Sequence, residues 1–124
     1  MSISNLEFSS LLEVLKGAQL EVIAIDKQAY KVKKELEEIK KTRTGFVFSI
    51  EKEVLLNPEF KNENQRKVAI NELVSNDDRI YELDKSIQTR EDKLIDLEAD
   101  RQRQKAEIEY NRNLIAFILA NKGV

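Results

Sequence analysis

Apolar residues recur along this chain at helical spacing. Leu15, Val22, Ala29 and Leu36 stand seven apart, and three residues beyond each lie Ala18, Ile25, Val32 and Ile39. No charge falls at the seam positions of these four heptads, and a 3.5-residue period is the signature of a coiled-coil seam. The pattern predicts a first helix over about 5–42, capped by Ser4 or Asn5. Gly17 sits inside it at modest cost. The run stops at Thr42-Arg43-Thr44-Gly45, where glycine is the natural breaker.

A second run is longer. Ile80, Ile87, Leu94, Arg101, Ile108 and Ile115 form one ridge, and Leu83, Arg90, Leu97, Gln104, Asn111 and Ile118 form its companion. The predicted helix spans about 77–121, started by Asp77 or Asp78 and ended by Asn121 and Gly123. At 1.5 Å per residue it is roughly 65 Å long, against roughly 57 Å for the first. The polar seam residues Arg90, Arg101, Gln104 and Asn111 are expected to snorkel outward or to fix register. The competing reading is a polar groove for a ligand or an acidic partner.

Residues 43–76 interrupt the periodicity. Phe46-Val47-Phe48-Ser49-Ile50 suits a short strand, whereas Ser49–Leu56 could be one or two helical turns. Asn57-Pro58 marks a turn. Asn62 or Asn64 then caps a short helix near 63–75, either separate from the second long helix or continuous with it. Phe46, Phe48, Leu55, Leu56 and Phe60 are expected to form a small helical or mixed cap, or else to add a strand to a partner subunit.

Charge decides how the long helices pair. The net charge of −2 hides segments of −2 (1–30), +3 (31–45), −1 (46–76), −5 (77–100) and +3 (101–124). An antiparallel fold-back sets +3 beside −5 and −2 beside +3, whereas a parallel pairing sets like beside like. The expected fold is therefore all-α: one domain, a long antiparallel helical hairpin of coiled-coil type with a cap over 43–76.

The two chain ends meet in that hairpin. Leu114–Ala120 is apolar on every face, and so, nearly, is Leu6–Leu15. A single helix pair cannot bury both. Self-association into a helical bundle is expected, most simply as a homodimer, through Leu6, Phe8, Leu12, Leu15, Leu114, Ile115, Phe117 and Ile118.

Composition narrows the chemistry. The chain has no histidine, cysteine or tryptophan. That leaves no thiolate nucleophile, Ser-His pair, zinc-finger site or imidazole switch. Carboxylate pairs such as Asp92/Asp96 are expected to be charge decoration on solvated helix faces, with no pocket around them. No phosphate loop, dinucleotide fingerprint or hydrolase elbow is present. The chain is thus expected not to be an enzyme and to use no cofactor or metal. Two basic clusters, Lys33, Lys34, Lys40, Lys41 and Arg43, and Arg101, Arg103 and Lys105, could contact nucleic acid or an acidic partner. Interspersed glutamates favour a salt-bridged face instead. Glu7 interrupts the apolar stretch near Met1, and the longest apolar run is seven residues, so neither a signal peptide nor a membrane span is expected. A cytoplasmic location is expected.

The stretch Leu56–Leu83, through Asn62, Glu63, Arg66, Leu73, Asp77 and Tyr81, resembles a group of small phage and prophage coiled-coil proteins often encoded near recombination genes. The proline usual in their acidic turn is absent here. The resemblance implies a phage context but no site. The expected function is non-enzymatic protein–protein interaction, accessory to DNA recombination or replication or inhibiting a host defence complex. Alternatives are direct nucleic-acid binding through the basic faces and a prefoldin-like chaperone, whose helix–insert–helix outline calls for more strand than this insert offers.

Overall fold

The computed structural model describes residues 4–122 and is helical throughout apart from two short connections. Helix α1 runs Asn5–Leu56, α2 Glu63–Ser75 and α3 Asp78–Lys122. Helices α1 and α3 pack against each other as a hairpin, and no strand occurs among the described residues.

The ends of these helices follow side-chain chemistry. The Ser4 hydroxyl accepts the Glu7 N–H at 3.2 Å and starts α1. Asn57-Pro58 stops it, since proline has no N–H and restricts the residue before it. Phe60 N–H donates to the Asn57 carbonyl across the turn, and Asn57 Oδ1 accepts the Glu59 N–H at 3.0 Å. Asn62 caps α2 by accepting the Gln65 N–H at 2.8 Å, while Gln65 Oε1 accepts the Lys61 N–H. Asn76 closes α2 with its N–H on the Glu72 carbonyl. Asp77 opens α3, so α2 and α3 are separate helices. Gly123 lies outside the described residues.

The first helix corrects the boundary drawn at residue 42. It passes through Thr42–Gly45 unbroken, and Phe46–Ile50 is helix rather than strand. The reason lies in packing. Ile39, Arg43, Phe46, Ile50 and Val54 continue the three-and-four spacing of the seam, and Ile50 and Val54 are buried, Val54 to 2% exposure. Burying such side chains yields about 1.5–3 kcal/mol each, against about 1 kcal/mol for a glycine within a helix. The middle segment is accordingly helical, with only 57–62 and 76–77 as connections.

The chain divides into two compact units. The first joins the residues up to Lys31 to those from Leu94 onward. Its core is a seam of Ala18 and Ile25 with Leu97 and Ile118, interrupted by buried Asn111. The second is residues 32–93, where the rest of α1, all of α2 and the start of α3 surround Val32, Leu36, Ile50, Val54, Ala69 and Ile80. Ile80, 1% exposed, is the most buried of these. All twelve anticipated seam positions of α3 are buried or half-buried.

Candidate interaction surfaces

In the second unit, the start of α3 is tied down by one carboxylate. Asp77 Oδ1 accepts the backbone N–H groups of Arg79 at 2.8 Å and Ile80 at 3.1 Å, and Oδ2 accepts Arg79 Nη2 at 3.0 Å. The Arg79 side chain, followed by the Ile80 N–H, holds the Asp77 carboxyl below its ordinary 3.8. The same pairing raises Arg79. The Arg79 guanidinium also lies 4.5 Å from the centre of the Phe46 ring, a cation–π contact that joins the cap to α1.

These contacts give a structural account of the phage-like residues. Asn62 and Asp77 are helix caps, and Arg66 Nη1 donates to the Phe60 carbonyl at 3.3 Å. Leu73 and Tyr81 are exposed, at 46% and 60%. Three of the six residues that carry the resemblance, Asn62, Arg66 and Asp77, thus shape turns.

Most of the basic residues singled out face carboxylates. In the second unit Arg43 Nε donates to Asp84 Oδ1 at 2.5 Å, Lys40 lies 3.7 Å from Glu91, and Lys34 lies 3.8 Å from Glu37. In the first, Arg101 Nε donates to Asp26 at 2.8 Å and Arg103 pairs with Asp100. Lys33, Lys41 and Lys105 are exposed. A phosphate-binding face needs cations turned outward, and only three of these eight are without such a partner.

Three of the four polar seam residues, Arg90, Arg101 and Asn111, are hydrogen-bonded within the chain. Arg90 donates to Glu35 at 3.2 Å and to the Ser86 hydroxyl at 2.5 Å. Asn111, 3% exposed, donates to the Glu107 carbonyl of its own helix at 2.8 Å. Gln104 is half-buried. No group of three metal-ligating side chains occurs among the described residues. No described helix is long and apolar enough to cross a membrane.

The end residues divide into inward and outward sets. Ile118 is buried within the chain's own seam, and Phe8, Leu15, Leu114 and Ile115 are half-buried. Leu6, Leu12 and Phe117 are exposed, Leu6 to 80% and Phe117 to 66%. Val14, Leu20, Ile23 and Leu119 join them in the same unit. Leu20 and Ile23 stand outside the two apolar end runs, and their place off the seam is the one signal of their exposure that the sequence carries. In the second unit Phe48, Leu55 and Leu56 are exposed on the last turns of α1. A shallow groove of about 430 Å³ runs beside Phe60, Val68 and Ala69.

No family model matches the chain, and comparison with curated proteins and with solved structures returns no match.

Proposed function

We propose that the chain is a non-enzymatic interaction protein that associates with a copy of itself and binds a further protein. The observation that carries this reading is the exposure of Leu6, Leu12, Leu20, Ile23 and Phe117 in a unit whose own two helices already fill their common seam. Large apolar patches on a helical surface are sites of association. Phe48, Leu55 and Leu56 offer a second apolar area for the further protein. The phage-like residues support a phage origin, with a role accessory to DNA recombination or replication or in blocking a host defence complex.

Two alternatives have less support. Pairing of Arg43, Lys40, Arg101 and Arg103 with carboxylates leaves little net positive face for nucleic acid. The chaperone outline loses its sheet, because 46–56 is helix.

Leu12→Glu with Phe117→Glu is expected to reduce the mass in solution from dimer to monomer at micromolar protein, measured by light scattering. An unchanged mass would sink the self-association. Phe48→Glu with Leu55→Glu is expected to abolish recovery of a specific protein from lysate of phage-infected cells. Equal recovery by the variant would remove that area as the binding surface.

A further inference from the structure

A helix of a two-helix seam ordinarily turns its most charged face away from its partner. In the first unit α3 turns an uncharged stripe outward instead. Ile95, Ala99, Gln102 and Ala106, followed by Tyr110, Asn113 and Phe117, recur at steps of three and four residues. With 3.6 residues per turn they form one stripe on the side of α3 opposite Leu97, Gln104, Asn111 and Ile118. All seven are exposed, with Ile95, Tyr110 and Phe117 at 67%, 65% and 66%. None is charged, in a chain whose residues are 35% charged. The helix thus carries two opposed seams, one filled by α1 and one open.

We infer that the open seam is closed by α3 of a second copy of this chain, running antiparallel and centred on Ala106. This rests on the proposed self-association and places it on α3, where Phe117 belongs to the stripe and Leu6, Leu12, Leu20 and Ile23 of α1 lie outside it. Charge selects the occupant and its direction. Residues 94–100 carry three carboxylates and no cation, whereas 101–112 carry Arg101, Arg103, Lys105 and Arg112 against two glutamates. An antiparallel copy centred on Ala106 brings Arg103 beside Glu107 of the second copy, Lys105 beside its Glu109, and Glu98 beside its Arg112. A parallel copy brings Glu98 beside Asp96 and Asp100, and Lys105 beside Arg103. Flanking charges of this kind set helix orientation. Ala99 and Ala106 keep the stripe low near its centre, where two helices related by a twofold axis come closest.

The chain has no cysteine, so single introduced thiols report the geometry cleanly. The target positions are exposed, and circular dichroism of each variant verifies that it remains helical. A disulfide needs Cα atoms about 4.4–6.8 Å apart. Ala106→Cys, on the twofold axis, is expected to oxidise to a covalent dimer. Ala99→Cys alone is expected not to, because its counterpart in the second copy is Asn113, about 21 Å along the helix from residue 99. Mixing Ala99→Cys with Asn113→Cys is expected to restore cross-linking. Self-cross-linking of Ala99→Cys as readily as Ala106→Cys would mean a parallel pair and overturn the inference. A dimeric mass without any cross-link at 106 would overturn this interface while leaving self-association standing. A monomeric mass at all concentrations would overturn both and leave the stripe to a foreign partner.

Discussion

Asp77 shows how much one side chain does in this chain. It accepts two backbone N–H groups at the start of α3 and an ion pair from Arg79, whose other face rests on Phe46. Its carboxyl is held below the ordinary value in the folded chain. A group with a depressed folded pKa stabilises fully above its unfolded pKa, and that contribution is lost as pH falls through the folded value. Wild type is therefore expected to lose thermal stability more steeply than Asp77→Asn between about pH 4 and pH 2. Melting temperatures across an acid series would measure it; parallel curves for the two proteins would count against the cap. The aspartate itself was legible as a cap candidate. Its link to Phe46 was not, because those residues are 31 positions apart in sequence and meet only through folding.

At the scale of the element, α1 is the instructive case. Gly45 is exposed, and a Cβ built there meets nothing within 4 Å. Gly45→Ala is thus expected to stabilise the chain by about 0.5–1 kcal/mol, through helix propensity and the lower entropy of the unfolded state. Chemical denaturation would measure the gain; a loss would mean that the helix is interrupted there. The same site marks where local reading stops working. Phe46, Val47 and Ile50 have strand-like side chains and follow a glycine, so residue preference alone favours a break. Ile50 and Val54 nevertheless continue the seam spacing begun at Leu15, and their burial outweighs the propensity cost. Pro58, whose missing N–H and ring clash cost about 3 kcal/mol in a helix interior, ends it instead.

At the scale of the whole molecule, the pairing of α1 with α3 follows the segmental charges. Lys40 and Arg43 face Glu91 and Asp84 in one unit, and Asp26 faces Arg101 in the other. Glu35 with Arg90 runs against the sign of its segments, so the agreement is one of totals rather than of each pair. These bridges are partly exposed and individually small. Arg43→Asp is expected to destabilise by about 0.2–1 kcal/mol, and adding Asp84→Arg to recover most of that. A double-mutant cycle by denaturation, repeated at high salt, would measure the coupling; no coupling at low salt would show that charge does not select this pairing.

The sequence by itself determined that the chain is mostly helical, which residues occupy the seams of α1 up to Ile39 and of α3, which residues could cap the helix starts, and that α1 and α3 run antiparallel. Each depends on neighbours within a turn or two, or on charge summed over a segment, and both are written in consecutive residues. Only the tertiary structure decided that α1 continues to Leu56, that Leu6, Leu12 and Phe117 of the apolar ends stay exposed, and that Arg90, Arg101 and Asn111 are paired within the chain. Those outcomes depend on what the other helices place opposite each residue. Burial against a distant partner, worth more than a local preference, settles them.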